Sequence, residues 1–309
     1  MGNIIAIGEL VVEIMADKLD QPLDKQGLWH GPYPSGAPAI MAAQAAQSGA
    51  ASIIIGTVGN DDFGRNILER LGTLNIKGAR IDDEYTTGIA FVRYNNNGSR
   101  DFIYHIPHAA AGQIKPEQVK EEYFKKGGFL HITGSSLGVP SVRNAVETAL
   151  DYCKKYNVKV SFDPNIRKEL SAHGDQYQLI QKILSQTYIL LPSEGELEVL
   201  TGLKDEEASI KEILNNGIEI IVLKKGAKGA VLITKDTHIC AKACSVNEVD
   251  PTGAGDVFAG MLLSSLLQKM SYKEALQYAT AAGTYSVTQK GPMEGISNYD
   301  ELSYFLPQM

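Results

Sequence analysis

Short apolar runs rich in isoleucine and valine recur along the chain, and most of the stretches between them have the spacing of a helix. One such stretch, residues 141–156, places its apolar side chains on a single stripe. Continuous apolar runs are typical of strands that are buried on both faces. The repeated order strand, helix, strand therefore predicts an α/β fold with a mostly parallel sheet covered by helices on both faces. The predicted strands are residues 4–7, 52–58, 129–132, 159–162, 188–191, 218–223 and 230–233.

Two segments, residues 10–34 and 87–106, interrupt this order because they lack helical periodicity. The second predicts a β-hairpin whose turn is the sequence NNNG at residues 95–98. We expect the strands of the two segments to pair as a small accessory sheet. Because the segments are far apart in sequence, this sheet would belong to a single domain of residues 1–309, with the remainder of the chain as its core.

Composition and charge limit the classes of partner. The chain has 309 residues, of which 44% are hydrophobic and 21% charged, as in ordinary globular proteins. Its 29 Lys and Arg are outnumbered by 36 Asp and Glu, which gives a formal net charge of −7. This balance disfavours binding to nucleic acid or to an anionic membrane. No apolar run approaches the roughly 18 residues of a membrane span, and residues 1–8 do not resemble a signal peptide, so we expect a cytoplasmic protein.

Three cysteines, Cys153, Cys240 and Cys244, are too few for a disulfide framework and lack the second Cys or His pair of a zinc site. We expect them to be small buried hydrophobic residues in a reducing compartment. His131, at the end of an apolar strand, is likewise expected to be a core residue and not a catalyst.

The clearest chemical signal is the sequence DPTGAGDVFAG at residues 250–260, which an apolar run follows. Its small residues Gly253, Ala254 and Gly255 predict a tight turn that opens a helix, where backbone N–H groups bind an anion such as phosphate. Asp256 would then be a carboxylate at the anion, suited to accept the proton of an attacking hydroxyl. An Asp in this position is also typical of a helix cap, which stabilises by about 1 kcal/mol. The motif alone leaves both interpretations open.

Other motifs of nucleotide-binding proteins are incomplete. Residues 59–66 have two glycines at P-loop spacing, but Arg and Asn replace the Lys-Ser/Thr pair. The basic glycine turn at residues 223–230 is typical of a solvated hairpin or of a phosphate contact, and alternation allows only one of Lys224 and Lys225 to enter a given cleft. Arg167 follows the carboxyl end of a strand, where it could clamp a carboxylate or phosphate or be an ordinary surface arginine.

In this order along the chain, these sequences resemble those of the ribokinase-like, or PfkB-type, carbohydrate kinases. The resemblance implies a Rossmann-like three-layer core with a small β-sheet lid, formed here by residues 10–34 and 87–106. It also implies an enzyme that uses ATP and Mg²⁺ to phosphorylate a sugar hydroxyl. The chain is most similar in appearance to 2-keto-3-deoxygluconate kinases and fructokinases, so a ketose or a keto sugar acid is the expected substrate. The matching motifs are GE at 8–9, SGAPA at 35–39, GTVGNDDFG at 56–64, DPNIR at 163–167 and DPTGAGD at 250–256.

The resemblance implies roles for individual residues. Asp256 is the expected base, and the amides of residues 253–255 are the expected anion hole. Glu196 is expected to position Mg²⁺ through water, although Ser193 stands where the family has Asn. Asp250 resembles the acidic residue of a loop that binds K⁺ in several members. The residues implied in nucleotide binding are Asn165, Lys224, Gly226, Gly229, Gly253 and Gly255. The residues implied in sugar binding are Glu13, Gly36, Ala37, Phe91, Tyr104, Arg167 and Asp256.

Two departures from the family pattern leave other functions open. Ile40 stands where many members have a sugar-binding Asn, and Ile106 ends a segment without the arginine that reads the acid group in 2-keto-3-deoxygluconate kinases. A non-catalytic sugar or nucleotide sensor on the same fold is one alternative, which the complete motif at residues 253–256 disfavours. A nucleoside kinase is another, disfavoured because the lid segments offer no evident aromatic clamp for a base. The edge strands of the lid predict a homodimer that pairs across a two-fold axis.

Overall fold

The computed structural model describes residues 2–166 and 175–306, which form sheets of eight, four and two strands. The strands are β1 Asn3–Ile7, β2 Val11–Ala16, β3 Trp29–Ser35, β4 Ala51–Ile55, β5 Thr57–Gly59, β6 Arg80–Asp82, β7 Gly88–Tyr94, β8 Arg100–His105, β9 Gly128–Thr133, β10 Lys159–Asp163, β11 Thr187–Leu190, β12 Ile220–Lys224, β13 Ala230–Ile233 and β14 His238–Ala241. The α-helices are α1 Ala37–Gln47, α2 Asp62–Thr73, α3 Pro140–Tyr156, α4 Asp175–Leu184, α5 Glu196–Thr201, α6 Glu206–Asn215, α7 Ala254–Leu267, α8 Tyr272–Ser286 and α9 Tyr299–Leu302.

The eight-stranded sheet has the order β14-β13-β12-β11-β10-β9-β1-β4. Its strands are parallel from β12 to β4, and β13 and β14 extend it in antiparallel fashion at one edge. In β1, Ile4 and Ala6 pack into one hydrophobic core with α1 and α7, whereas Ile5 and Ile7 pack into a second core with α3. Burial on both faces explains why these strands are continuous apolar runs. The predicted α/β fold is confirmed.

The four-stranded sheet, which we call the accessory sheet, has the order β3-β2-β7-β8. Strands β2 and β3 come from the segment 10–34, and β7 and β8 from the segment 87–106. The two segments join through the parallel pair β2–β7, and the outer pairs are antiparallel. The predicted pairing of two distant segments in one small sheet is confirmed.

Details of the strand and cysteine predictions differ from the structure. The predicted run 52–58 is two strands, β4 and β5, which separate at Gly56. Cys153 is buried in α3, but Cys240 is exposed and Cys244 is half-buried, so the prediction of burial is wrong for Cys240. The reason is that alternation along β14 places Cys240 on the face opposite Ile239, and Ile239 is the residue that packs against the core. No helix among the described residues has the length and apolar character needed to cross a membrane.

Candidate active site

Helix α7 begins in the tight turn that the glycine-rich motif predicts. Gly253 precedes the helix with a φ of 76°, in the left-handed region, and a Cβ at this position would lie 3.1 Å from Cδ1 of Ile40. The first N–H groups of an α-helix have no acceptor within the helix. The turn at residues 253–255, which we call the anion turn, therefore offers backbone donors and the positive end of the helix dipole to an anion.

A cavity of about 50 Å³ lies between the anion turn and the accessory sheet, and we call it the inner cavity. Asn165, predicted on the nucleotide side, also lines this cavity and not the nucleotide cleft described below. Asp256, the third residue of α7, is 9% exposed and brings its carboxylate to the same space. Besides Asn165, the predicted site residues that line the inner cavity are Glu13, Gly36, Ala37, Tyr104, Gly253 and Asp256.

Two further carboxylates line the inner cavity, and hydroxyl groups hold both in place. Ser35 donates a hydrogen bond to Oε1 of Glu13 at 2.7 Å. Ser135 donates a hydrogen bond to Oε1 of Glu9 at 3.1 Å, and Ser136 donates one to Oε2 of Glu9. Glu9 and Glu13 are each 7% exposed. The cavity therefore presents buried oxygen acceptors suited to the hydroxyls of a sugar. Glu9 belongs to the motif that carries the family resemblance, but no role was predicted for it.

Arg100 is a site residue that the sequence reasoning missed. It lies on β8 and lines the inner cavity, with its guanidinium 5.8 Å from the ring centroid of Phe102. Its Nη1 donates a hydrogen bond to Oγ1 of Thr252 at 3.3 Å. Strand alternation is the signal that could have found it, because residues 100, 102 and 104 share one face of β8 with the predicted Tyr104.

Two predicted sugar-binding residues are not found in the inner cavity. Phe91 faces the other side of the accessory sheet, where its ring packs edge-on against Trp29 at 5.6 Å and against His105 at 6.5 Å. Its neighbour Ala90 lines the cavity instead, since successive residues of a strand point to opposite faces. The assignment of Phe91 to sugar binding is therefore corrected. Arg167 lies outside the described residues.

A larger cleft of about 460 Å³, which we call the outer cavity, lies on the other side of the anion turn. Gly253 and Asp256 line the inner cavity, whereas Ala254 and Gly255 line the outer one. Gly229 requires glycine, because its φ is 93° and a Cβ would lie 2.0 Å from the carbonyl oxygen of Ala241. The predicted nucleotide-binding residues that line the outer cavity are Lys224, Gly226, Gly229 and Gly255.

A cluster of charges lies where β10 and β12 end beside the anion turn. Lys224 forms an ion pair with Asp163, and its Nζ is 3.5 Å from the position that a Cβ on Gly255 would take. Lys225 points elsewhere and pairs with Glu206, as alternation requires. The ammonium of Lys224 is therefore the one that reaches the anion turn.

Glu196 joins the same cluster from the start of α5. Its Oε1 accepts a hydrogen bond from the backbone N–H of Ile166 at 2.8 Å, and its Oε2 accepts one from Ser193 at 2.7 Å. Burial and the nearby charge of Asp163 raise the pKa of Glu196. A cation beside these carboxylates would relieve that repulsion, so the donor set suits Mg²⁺ held mainly by phosphate and water. Within the described residues, no group of three or more His, Cys, Asp or Glu side chains could hold a metal ion by itself.

Asp250 is 2% exposed and holds the segment before the anion turn. Its Oδ1 accepts hydrogen bonds from the hydroxyl of Tyr94 at 2.6 Å and from the backbone N–H of Thr252 at 2.9 Å. Its Oδ2 accepts one from the N–H of Gly291 at 2.9 Å. All these donors are neutral, so a cation held by neighbouring oxygens would be compatible with the buried carboxylate.

The sequence profile of the pfkB family carbohydrate kinases matches residues 1–298. The chain belongs to the pfkB family of carbohydrate kinases. Fructokinase-2 of Oryza sativa subsp. japonica is 28% identical to it over 305 residues, which cover 95% of this chain and 90% of that protein. As a member of this family the protein is an ATP-dependent sugar kinase, and the alternative of a non-catalytic sensor loses its support.

Solved structures agree with this fold over the full length. An E. coli protein that carries the name Ribokinase II has a TM-score of 0.95 and 38% identity in its complex with ATP and Mg²⁺, and each chain covers 100% of the other. A fructokinase of Vibrio cholerae O395, solved with fructose, ADP and a calcium ion, has a TM-score of 0.88 and 28% identity, with 99% of each chain covered. The kinase family and the core with its accessory sheet are therefore as the sequence predicts.

Proposed function

We propose that the protein transfers the γ-phosphate of ATP to a hydroxyl of a fructose-type ketose. One observation carries the proposal: the first turn of α7 lies between two cavities, with Asp256 lining the inner one and Gly255 the outer one. A sugar in the inner cavity and a nucleotide in the outer cavity would meet at a single helix N-terminus. The fructokinases of rice and of Vibrio cholerae among the relatives support fructose as the type of acceptor.

In this arrangement the carboxylate of Asp256 accepts the proton of the sugar hydroxyl as the hydroxyl oxygen attacks the γ-phosphorus. A bond forms between that oxygen and phosphorus, the bond from phosphorus to the β,γ-bridging oxygen breaks, and ADP leaves with the bridging oxygen. The N–H groups of the anion turn hold the transferred phosphoryl group. Lys224 and the glycine turn of Gly226 and Gly229 contact the phosphates from the outer cavity.

Mg²⁺ belongs to this proposal as a partner of the nucleotide. Glu196 and Asp163 would hold its water ligands from the ends of neighbouring strands, since both carboxylates lie beside Lys224. When bound, the ion offsets the negative charge of the β- and γ-phosphates. The complex of the E. coli relative with ATP and Mg²⁺ supports the choice of ion.

Charges in the inner cavity favour a neutral acceptor. Glu9, Glu13 and Asp256 supply three carboxylates, against which Arg100 is the cationic side chain among the described lining residues. A negatively charged substrate is repelled by such a site unless it is paired. Arg100 is nevertheless suited to a carboxylate, so a keto sugar acid is the second candidate acceptor. The apolar face of Ile40, in place of a hydrogen-bonding side chain, lines the same cavity and limits which hydroxyls the site accepts.

The experiment is a panel of acceptors with ATP and Mg²⁺, with ADP release coupled to NADH oxidation and the product examined by ³¹P NMR. The panel holds fructose, ribose, 2-keto-3-deoxygluconate and a nucleoside. We expect ADP release to depend on the ketose and to yield one phosphate ester per ADP. Binding of a sugar without ADP release would contradict the proposal, and preferential turnover of the keto acid would favour the second candidate.

We also propose a monovalent-cation site at Asp250, supported by its buried carboxylate with neutral hydrogen-bond donors. The loop resembles that of K⁺-binding family members, and a fructokinase double mutant from Vibrio cholerae has been solved with a potassium ion. Rates in K⁺ and in tetramethylammonium at equal ionic strength test this site. An unchanged rate would exclude a requirement for K⁺.

A homodimer through the accessory sheet and a cytoplasmic location complete the proposal. Strands β3 and β8 are edge strands, and Phe91, Trp29 and the 44% exposed Ile103 form an apolar outer face on this sheet. Light scattering should give twice the chain mass, and Ile103→Asp should shift it to the monomer. The free, exposed thiol of Cys240 is compatible with a reducing compartment such as the cytoplasm, and cell fractionation tests this location.

A further inference from the structure

Tyr94 ends strand β7 of the accessory sheet, and its hydroxyl reaches the core segment that leads into the anion turn. This hydroxyl is 2.6 Å from Oδ1 of Asp250 and 2.7 Å from Oγ1 of Thr252. The partners are 156 and 158 residues away in sequence. Thr252 directly precedes Gly253, so the contact joins the accessory sheet to the start of the anion turn.

The hydrogen bonds of this contact run in one direction. Tyr94 has a single hydroxyl proton, which it donates to the carboxylate of Asp250. The hydroxyl of Thr252 must therefore donate to the oxygen of Tyr94, and its own oxygen accepts from Nη1 of Arg100. A tyrosine phenol carries its proton at neutral pH, so Tyr94 can serve as the donor. Two residues of the accessory sheet thus hold one threonine side chain of the core.

The same carboxylate that accepts from Tyr94 also shapes the backbone around the anion turn. Asp250 accepts the N–H of Thr252 on one oxygen and that of Gly291 on the other. The would-be Cβ of Gly253 lies 2.9 Å from the carbonyl oxygen of Pro292, so the segment at 291–292 packs directly against the turn. The hydroxyl of Tyr94 is therefore bound to two residues, Asp250 and Thr252, that adjoin the anion turn.

We expect the accessory sheet, which forms one wall of the inner cavity, to move when a sugar enters. The inner cavity has a volume of about 50 Å³, whereas pockets that hold small ligands measure roughly 300–1,000 Å³. Moving the sheet away from α7 separates Tyr94 and Arg100 from Thr252, because the first two lie on the sheet and the third lies on the core. The network is therefore complete only when the sheet covers the cavity.

We infer that Tyr94 is a positioning residue that couples closure of the accessory sheet to the placement of the anion turn, and that Arg100 assists it through its own hydrogen bond to Thr252. The inference rests on the proposed function. With the sheet closed over the sugar, the two side chains fix Thr252 and hence the backbone entering the turn. With the sheet open, that support is absent, so phosphoryl transfer to water is disfavoured while the site is exposed to solvent.

The test is Tyr94→Phe, which removes the hydroxyl and keeps the ring. We expect kcat for the sugar to fall about tenfold and the KM for ATP to stay within twofold. The ratio of ADP released to sugar phosphate formed should rise above the wild-type ratio, since the turn is no longer placed by closure. Tyr85→Phe is the matched control, because Tyr85 is 39% exposed and lies just outside the accessory sheet.

Variants of Thr252 separate positioning from a structural role. Thr252→Ser keeps the hydroxyl and should retain the wild-type ratio of ADP to sugar phosphate. Thr252→Val should show the same fall in kcat and rise in this ratio as Tyr94→Phe. The double variant Tyr94→Phe/Thr252→Val should be no less active than either single variant. Hydrogen–deuterium exchange with sugar and a non-hydrolysable ATP analogue should show faster exchange at residues 250–256 in Tyr94→Phe than in the wild type.

Three outcomes would overturn the inference: wild-type kcat and ratio in Tyr94→Phe, additive losses in the double variant, or unchanged exchange at residues 250–256. A loss of activity with a lower melting temperature and no change in the ratio would assign Tyr94 a structural role only, which also contradicts the inference. If the wild type phosphorylates no sugar of the panel, the proposed function fails, and the exchange experiment still decides whether Tyr94 holds the anion turn.

Discussion

Replacing Asp256 by asparagine removes the proposed base and leaves its shape. The side chain lies in the first turn of α7 and lines the inner cavity, 9% exposed. Loss of a general base lowers a rate by roughly 10²–10⁴, which corresponds to about 3–5 kcal/mol of transition-state stabilisation. Lys224, Gly226 and Gly229 line the other cavity, so the affinity for ATP should stay within twofold. A negative charge near a helix N-terminus contributes about 0.3–1 kcal/mol, so the protein should remain folded.

The assay measures kcat with the best acceptor of the panel, the Kd of ATP by calorimetry and the melting temperature. Asp62→Asn is the control, because Asp62 lies in the first turn of α2, with a side chain 93% exposed and away from both cavities. It removes a comparable charge from a helix N-terminus without removing a base. Turnover within threefold of the wild type in Asp256→Asn would refute the role of Asp256 as base, and a tenfold weaker Kd would show that it serves the nucleotide instead.

Three further predictions concern ionisable side chains that are buried or partly buried. Lys224→Met should raise the KM for ATP at least tenfold, and an unchanged KM in a kinetic titration would contradict a role of Lys224 at the phosphates. The same variant should lower the melting temperature, because it leaves the buried carboxylate of Asp163 without its cation. Burial lowers the pKa of His131 to about 4, so the contribution of this neutral side chain to the free energy of unfolding is complete above pH 6.5 and falls by roughly 3 kcal/mol as the pH drops towards 4. In urea unfolding, His131→Gln should lack this part of the pH dependence. Burial opposes ionisation of Asp61, but hydrogen bonds from Thr87 and a neighbouring amide outweigh this effect and lower the pKa of Asp61. Asp61→Ala should therefore have a lower melting temperature than the wild type at pH 7. The difference between the two melting temperatures should shrink as the pH falls through the acid range.

The fold could be predicted because its signals are local. A strand covered on both faces must be apolar at every position, and β1 shows this directly, since Ile4 and Ile5 pack into different cores. The accessory sheet could be predicted from two segments that lack this pattern. The split at Gly56 was not predicted, because β4 and β5 form one apolar run although β5 pairs in a different sheet, with β6.

The position of a candidate site residue is easiest to predict where one short segment forms the feature. The anion turn is an example, because its glycine, its small residues and the acid at position 256 are all read from one heptapeptide. Phe91 was misplaced because the face of a strand depends on its register. In the hairpin, Tyr104 pairs with Ala90 and Phe91 with Ile103, so a Tyr104 that faces the cavity requires Ala90, and not Phe91, on the same face.

Contacts between the accessory sheet and the core could not be predicted from any single segment. Tyr94 and Arg100 look like ordinary strand residues, and their importance depends on Thr252, which lies in another part of the chain. A glycine motif specifies where an anion binds, but it does not specify when the site is complete. In this protein the completeness of the site depends on a neutral phenol of the accessory sheet, Tyr94, that reaches a buried carboxylate, Asp250, in the core segment before α7. A kinase must favour its sugar over water. An anion turn at a helix N-terminus, whose placement depends on a residue of the accessory sheet, provides that selectivity without additional catalytic groups.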